Sequence, residues 1–184
     1  MIQGFATPTG TNSYARRHSR LYYTELDQTG VLVSQAGFGC YRVNLGVAEH
    51  EKALNLALLG GVNLIDTSSN YGDGGSEKLV GAVLKNLILS GNFSRESIVV
   101  VSKVGYLQGE NYQLSQERKR EGNPFKELVL YAEGLEHCIH PEFLHDQLNR
   151  SRRKRLNHPP ARERRRRFDH RLRGFPQSLC RRLR

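Results

Sequence analysis

The sequence predicts an α/β fold built on parallel β-strands. Residues 61–65 and 98–102 are two largely apolar runs of strand length, which is the pattern of strands buried on both faces of a sheet. Between them, residues 79–88 repeat apolar side chains at the i, i+3, i+4 and i+7 spacing of a helix. A strand, a helix and a second strand in this order are typical of a βαβ unit, in which the two strands run parallel.

The N-terminal part predicts an arm, a hairpin and a short strand. Residues 1–20 are mostly polar, so we expect a loosely ordered arm. Residues 22–26 and 31–34 have strand-like composition and flank the turn-forming group 27–30, which predicts a β-hairpin. The glycine-rich segment 35–40 that follows is interpreted as a strand leading into a loop.

Two helices are predicted on either side of the first apolar run. One begins near Val47 and ends at the glycine pair 60–61. The other follows the glycine-rich loop 72–75, and Ser76 is its predicted N-cap residue. The apolar stripe of the first helix consists of Ala53, Leu54, Ala57 and Leu58, and that of the second consists of Leu79, Val80, Val83, Leu84, Leu87 and Ile88.

Titratable side chains follow both apolar runs. Asp66 comes directly after the first run, Tyr71 lies five residues further on, and Lys103 ends the second run. The carboxyl ends of neighbouring parallel strands share one edge of a sheet, where catalytic residues of α/β proteins are found. Each residue alone also fits a structural role, as a turn cap, a core edge or a solvated strand end. Such roles do not explain three strand-end positions in two consecutive units, so we predict a catalytic site.

The segment after Lys103 differs from an ordinary connection between a strand and a helix. Such connections usually contain a few residues, whereas the polar stretch here spans residues 107–139. We expect an insertion over the mouth of the site. A further helix is predicted from about Pro141, with Phe143, Leu144 and Leu148 on one side, and its pattern is lost near Ser151.

The motif around the candidate residues resembles the aldo-keto reductase family. In that family the pattern Asp-Thr-Ala/Ser-x-x-Tyr-Gly is followed by a short loop, Ser-Glu and an apolar helix. The sequence matches with residues 66–72 and with Ser76 and Glu77. The segment 37–39 is similar to a Gly-x-Gly that the family often has, and the likeness covers roughly residues 22–150.

The resemblance implies the fold and the chemistry of that family. The fold is a (β/α)8 TIM barrel with an N-terminal hairpin. The activity is NAD(P)H-dependent reduction of a small carbonyl compound or sugar, or the reverse oxidation of an alcohol. NADP is the expected cofactor, with NAD as the alternative. The implied roles are Tyr71 as general acid and Lys103 with Asp66 as the pair that tunes it.

Elementary acid–base chemistry agrees with these roles. Reduction of a carbonyl group needs a hydride donor at the carbon and a proton donor near the oxygen. A free tyrosine has a pKa of about 10, which is too high for easy donation at neutral pH. A nearby ammonium such as that of Lys103 lowers the pKa of a phenol by favouring the phenolate, and Asp66 is its counter-ion.

The second half of the chain departs from the family pattern. The family barrel has eight strands in about 250 residues, whereas this sequence has about three before its basic tail. We find no fourth strand that ends in the family's catalytic histidine, because His158 and His170 follow no apolar run. We therefore expect residues 1–150 to form a partial barrel, truncated or frameshifted after about residue 150, that is inactive. Its open strand edge would favour aggregation.

The net positive charge belongs to residues 151–184. That tail holds thirteen Arg and one Lys against Glu163 and Asp169, whereas residues 1–150 hold 14 basic and 16 acidic residues. One interpretation is a non-catalytic cationic protein that binds nucleic acid through the tail. A second is a disordered segment with too few apolar residues to fold.

A third interpretation of the tail is a shift of reading frame near Ser151. In a GC-rich gene, codons for Val-Asp-Val read two bases out of phase encode Arg-Arg. The change of pattern falls inside a helix that the family continues, which favours this hypothesis. Nucleic acid is therefore not the expected partner, and a disordered or out-of-frame tail is expected.

No metal site, membrane segment or disulfide framework is predicted. The cluster of His137, Cys138, His140 and His145 matches no known zinc-ligand spacing. The three cysteines are far apart, which indicates reduced thiols, and no apolar run approaches the roughly 20 residues of a membrane span. The loop 72–75 lacks the Gly-Lys-Ser/Thr ending of a phosphate-binding loop. We expect a cytoplasmic protein, and the sequence leaves its oligomeric state open.

Overall fold

The structure, a computed structural model, describes residues 4–156 of the 184-residue chain. The helices are α1 (Pro8–Arg17), α2 (Ala48–Leu59), α3 (Gly75–Leu89), α4 (Gly109–Arg120) and α5 (Pro141–Leu156). The strands are β1 (Tyr23–Glu25), β2 (Leu32–Ser34), β3 (Phe38–Gly39), β4 (Leu64–Asp66), β5 (Val99–Val101), β6 (Tyr106–Leu107), β7 (Val129–Ala132) and β8 (Leu135–His137). They form a two-stranded and two three-stranded sheets.

The N-terminal segment contains a helix, so the prediction of a loosely ordered arm over residues 1–20 was wrong. The side chain of Thr7 caps α1 by accepting a hydrogen bond of 3.0 Å from the Gly10 amide, and proline suits the first helical position. Tyr14 is completely buried, and its ring packs edge-on against Phe93 at 5.8 Å. One aromatic side chain therefore anchors a helix whose composition is otherwise polar.

The predicted hairpin is confirmed. Strands β1 and β2 pair antiparallel, with Tyr23 opposite Ser34, and a short 3-10 turn at Asp27–Thr29 joins them. Gly30 closes the turn at φ 71°, in the left-handed region that glycine adopts at little cost.

The predicted parallel sheet is confirmed as well. Strand β4 lies at its centre, with β3 on one side and β5 on the other, and both pairs are parallel. In this register Asp66 lies between Gly39 and Val101, so the three strands end at one edge. Helices α2 and α3 are the crossovers. Parallel strands joined by helices in this way fit one part of a (β/α)8 barrel.

Helix α3 contributes five of the twelve buried residues of the main core. Leu79, Val80 and Val83 are fully buried, as the helical stripe predicted. The predicted N-cap at Ser76 was wrong, because the helix begins at Gly75 and Gly74 is the cap residue. The main core consists of Tyr14, Cys40, Leu54, Leu58, Ile65, Leu79, Val80, Val83, Leu84, Leu87, Phe93 and Ile98.

The polar stretch 107–139, predicted as an insertion, has a fold of its own and is called the antiparallel unit below. Strands β6, β8 and β7 form an antiparallel sheet in that order, and α4 packs beside it. This unit has a second, smaller core of Leu107, Phe125, Cys138 and Phe143.

Helix α5 begins at Pro141 as predicted and continues beyond Ser151 to Leu156. Phe143 is buried, but Leu148 is 44% exposed, so the predicted apolar side is only partly correct. The boundary predicted at residue 150, where the partial barrel was expected to end, falls within this helix. The basic tail predicted to be disordered or out of frame comprises residues 151–184; residues 151–156 belong to α5, and residues 157–184 lie outside the described part of the chain.

Candidate active site

The loops after β4 and β5 are joined side by side. The Lys103 carbonyl accepts hydrogen bonds from the Ser69 amide at 3.3 Å and from the Ser68 hydroxyl at 3.2 Å. Earlier in the loop, the Thr67 amide donates to the Val101 carbonyl at 2.9 Å. These bonds extend the β4–β5 pairing beyond the strands and fix the position of Lys103 relative to the segment that leads to Tyr71.

The three residues predicted from the sequence lie together at this edge. The Lys103 ammonium forms an ion pair with Asp66 and lies 3.5 Å from the hydroxyl of Tyr71. It also donates to the Thr67 carbonyl at 3.4 Å and lies 5.3 Å from the centre of the Tyr71 ring. The ammonium therefore contacts a carboxylate on one side and a phenol on the other.

The ion pair is open to solvent. The side chain of Lys103 is 49% exposed and that of Asp66 is 47% exposed. Partial desolvation lowers the pKa of Lys103, but hydrogen bonds to Asp66 and Tyr71 more than offset this, so that its pKa lies above the usual range. Lys103 is consequently a permanent cation at neutral pH.

Tyr71 is held between Lys103 and a second tyrosine. The Tyr41 ring meets it edge-on, with centroids 5.2 Å apart and planes at 82°. Tyr41 is 68% exposed and comes from the segment after β3. The sequence analysis missed it, because a single tyrosine in a loop carries no spacing signal.

The loop after Tyr71 turns sharply. Gly72, Asp73 and Gly74 are left-handed in succession, with φ values of 57°, 52° and 81°. Asp73 is a non-glycine residue in this region, a conformation that costs energy and is enriched near functional sites. The turn places the start of α3 directly behind the strand ends.

Buried hydroxyl and thiol groups of Thr67, Ser76 and Cys40 pack next to the site. The hydroxyls of Thr67 and Ser76 lie 2.7 Å apart, and Ser76 donates to the Cys40 carbonyl at 3.2 Å. This contact explains why Ser76 does not cap α3. Burial raises the pKa of the Cys40 thiol to about 11, so that it stays protonated and unreactive at neutral pH.

Several sequence-based alternatives are tested only in part. Among residues 4–156, no group of three or more His, Cys, Asp and Glu side chains is arranged to hold a metal ion. Within the same residues, no helix combines the length and apolar character of a membrane span. His158, His170 and the arginine runs 164–167 and 181–184 fall outside the described residues, whereas the run 152–155 belongs to α5.

Comparison with known proteins identifies related sequences. The model of the aldo/keto reductase family matches residues 37–157. L-galactose dehydrogenase from Arabidopsis thaliana is 32% identical over 124 residues, which cover 64% of this chain and 38% of that protein.

The fold is also found in a solved structure. An aldo-keto reductase from Bacillus halodurans, in its holo form, superposes with a TM-score of 0.54 at 21% identity. The superposition covers 74% of this chain and 37% of that one. The chain thus spans less than two-fifths of the length of either protein.

Proposed function

Since the chain belongs to the aldo/keto reductase family, we propose that Asp66, Tyr71 and Lys103 form the proton-transferring part of an NAD(P)H-dependent oxidoreductase site. The proposal includes the (β/α)8 barrel as the complete architecture, of which the sheet β3–β4–β5 is one part. The single observation that carries it is the Lys103 ammonium, which contacts both the Asp66 carboxylate and the Tyr71 hydroxyl.

The substrate proposed is a small carbonyl compound or a sugar, with the reverse oxidation of an alcohol at the same site. L-galactose dehydrogenase, named for a sugar, is 32% identical over the matched segment, which favours a sugar. The half-exposed ion pair supports the proposal because a substrate oxygen needs an open approach to Tyr71.

The described residues fit the reacting end of a nicotinamide cofactor. Asp66 and Lys103 lie half exposed at the strand ends, with the Tyr71 hydroxyl beside them, so a nicotinamide bound at this edge would have the proton donor next to it. When bound, NAD(P)H supplies the hydride that reduces the carbonyl carbon. We propose NADP, with NAD as the alternative, and assign none of residues 4–156 to its phosphate groups.

The chain's own residues handle the proton. As the carbonyl carbon is reduced, the electron pair of the C=O π bond moves to the oxygen, and the Tyr71 hydroxyl donates its proton there. The phenolate that remains faces the Lys103 ammonium at 3.5 Å, which stabilises the negative charge. Asp66 keeps that ammonium in place. In the oxidative direction the phenolate accepts the proton from the alcohol.

The prediction of an inactive chain opposes this activity directly. It rests on the catalytic histidine that the sequence analysis did not find, and the structure describes neither His158 nor His170. The nucleic-acid alternative rests on the arginines of the tail, ten of whose thirteen lie beyond residue 156.

One assay separates these alternatives. The 184-residue chain is incubated with NADPH or NADH and a panel of aldehydes and sugars, and cofactor oxidation is followed; NAD(P)+ with L-galactose tests the reverse direction. We expect turnover that falls about 10²- to 10⁴-fold in Tyr71→Phe, the range for loss of a general acid. Lys103→Met should fall within the same range.

Two control variants are matched to these changes. Tyr22→Phe removes the hydroxyl of a tyrosine that is 80% exposed, and Lys52→Met removes an exposed ammonium from α2. Both should retain the parent rate. Absence of turnover in the parent chain would contradict the proposed function and agree with the prediction of inactivity, while turnover that survives Tyr71→Phe would exclude Tyr71 as the acid.

A further inference from the structure

Three buried amide side chains lie between the site and the antiparallel unit. Asn70 immediately precedes Tyr71, Asn111 is on α4 and Gln147 is on α5. Their exposed fractions are 7%, 7% and 1%. A buried amide that lacks partners is destabilising by roughly 1–3 kcal/mol, so the hydrogen bonds that satisfy these groups restrict where each can lie.

The amides form a connected chain of hydrogen bonds. Asn111 donates to the Gln147 oxygen at 3.0 Å, and Gln147 donates back to the Asn111 oxygen at 3.1 Å. Asn111 also donates to the Asn70 oxygen at 3.3 Å, and Asn70 donates to the Tyr106 carbonyl at 2.7 Å. The oxygen and the nitrogen of each of the three amide side chains therefore take part in a hydrogen bond with a defined donor and acceptor.

The backbone of Asn70 is held from the same side. Gln108, the residue before α4, donates its side-chain amide to the Asn70 carbonyl at 3.1 Å. That carbonyl belongs to the peptide bond that leads into Tyr71. Both the side chain and the backbone of Asn70 are therefore fixed by residues from the segment that begins at β6.

We propose that Asn70, Asn111 and Gln147 (the amide trio) position Tyr71 against Lys103. This inference rests on the proposed function, because it assigns a role toward the proton donor of that site. The amide trio acts through the backbone that leads into Tyr71, so its members are positioning residues. Buried networks whose members are all satisfied hold a single arrangement, and that is what a proton donor needs. The antiparallel unit thereby becomes part of the site.

Hydrogen exchange in the 184-residue chain tests the amide trio without substrate or cofactor. Gln147→Met keeps an unbranched side chain and removes both bonds to Asn111. We expect the backbone amides of residues 68–72 to exchange about tenfold faster, which corresponds to about 1.4 kcal/mol. Gln147→Glu, measured at a pH low enough to protonate the introduced carboxyl group, loses the bond to Asp146 but keeps one donor and one acceptor for Asn111, so it should restore the parent rate.

A control variant tests whether loss of any buried amide has the same effect, and a second variant tests the loop if Gln147→Met does not fold. Asn63→Leu removes another fully buried amide, one that bonds Leu32 and Ser97 at the opposite end of β4, and should leave residues 68–72 unaffected. Gln108 is exposed, so Gln108→Ala retains the fold even if Gln147→Met does not, and we expect about a threefold increase in exchange.

The outcomes of this experiment are independent of the proposed function. Unchanged exchange at residues 68–72 in Gln108→Ala, and in Gln147→Met where it folds, overturns the role of the amide trio and leaves the reductase proposal standing. An equal increase in Asn63→Leu overturns it too. Faster exchange in a chain without turnover supports the trio's hold on the loop and contradicts the proposed function instead.

Discussion

Two regions of the molecule are stabilised in different ways. The parallel region, residues 38–101, packs β3, β4 and β5 against α2 and α3 and contains most of the twelve buried residues of the main core. The antiparallel region, residues 106–143, has four buried apolar residues. Much of its interior is polar instead. Glu136 is 1% exposed and accepts hydrogen bonds from Ser115 at 2.5 Å and Gln116 at 2.9 Å, besides its ion pair with Lys119.

The difference shows how the site divides its tasks. The parallel region supplies the charged residues, because its strands end together at one edge. The antiparallel region supplies the buried amide of Asn111 and the Tyr106 carbonyl, which both bond the Asn70 side chain before Tyr71. An apolar core gives the strand ends a rigid base, and directional hydrogen bonds fix the loop between them.

The largest expected effect is the loss of a core leucine in each region. Leu79 and Leu107 are both fully buried, the first in the parallel and the second in the antiparallel region. Leu79→Ala should lower the free energy of unfolding by about 3–5 kcal/mol. Leu107→Ala should lower it by about 2–3 kcal/mol, because a smaller core collapses more readily around the cavity. Urea unfolding of both variants gives the comparison.

Amide hydrogen exchange, measured in the same two variants, shows which residues each core leucine protects. Leu107→Ala should speed exchange mainly within residues 106–137, whereas Leu79→Ala should speed it across the described chain, because regions with fewer apolar contacts open locally. A larger loss of stability in Leu107→Ala than in Leu79→Ala would contradict the difference drawn between the two regions.

An intermediate effect is expected at Glu136. Desolvation raises the pKa of this carboxyl group, but its hydrogen bonds to Lys119, Ser115 and Gln116 prevail, so that its pKa in the folded protein lies below the ordinary value. Glu136→Gln removes the charge and should lower the free energy of unfolding by about 1–3 kcal/mol at neutral pH. Glu117→Gln, the same change at an exposed carboxylate of α4, is the matched control and should leave the stability nearly unchanged.

The depressed pKa of Glu136 also predicts a pH dependence. The stabilisation is fully present above the pKa of the unfolded chain, about 4.3, and is lost as the pH falls through the lower pKa of the folded protein. The stability difference between the parent and Glu136→Gln should therefore shrink on acidification below about pH 5. A difference that stays constant in urea titrations from neutral to acid pH would show that the carboxylate is not the source.

The smallest effect is expected at the surface of the antiparallel region. Arg118 donates to Glu142 at 2.6 Å and lies 4.1 Å from the centre of the Phe125 ring. Glu142 is 43% exposed, and such ion pairs contribute about 0–1 kcal/mol. Glu142→Gln should change the unfolding midpoint only slightly and become neutral in high salt. If Glu142→Gln lowered the free energy of unfolding as much as Glu136→Gln does, burial would not determine how much a polar contact in this region contributes to stability.

The same contrast explains what the sequence could predict of the fold. The parallel region was predicted because its strands are apolar runs and α3 has an apolar stripe at helical spacing. Helix α4 was missed because its buried residues, Asn111 and Ser115, are polar and form no apolar stripe. The turn between β7 and β8 did carry a sequence signal, the Glu133-Gly134 pair, and Gly134 adopts a left-handed φ of 71° in the structure. Helix α1 was missed because Tyr14 is its only large apolar side chain in the core, and its other buried residues, Gly10 and Thr11, form no apolar stripe.

The sequence likewise predicted only the part of the site that lies at the strand ends. Asp66, Tyr71 and Lys103 follow strands, and strand ends can be read from periodicity, so their meeting was foreseen. Tyr41 and Asn111 reach the loop from elements whose placement depends on tertiary packing. No spacing rule connects them to Tyr71, which lies 30 and 40 residues away respectively.

The central claim is that Asp66, Tyr71 and Lys103 act as one coupled cluster. The most direct test is the titration of the Lys103 ammonium by NMR, with lysine labelled at the ε carbon, in the parent chain and in Asp66→Asn. We predict a parent pKa above the ordinary value for lysine and a lower pKa in Asp66→Asn, because the variant removes the carboxylate bonded to the ammonium. An unshifted pKa that Asp66→Asn leaves unchanged would contradict the coupling.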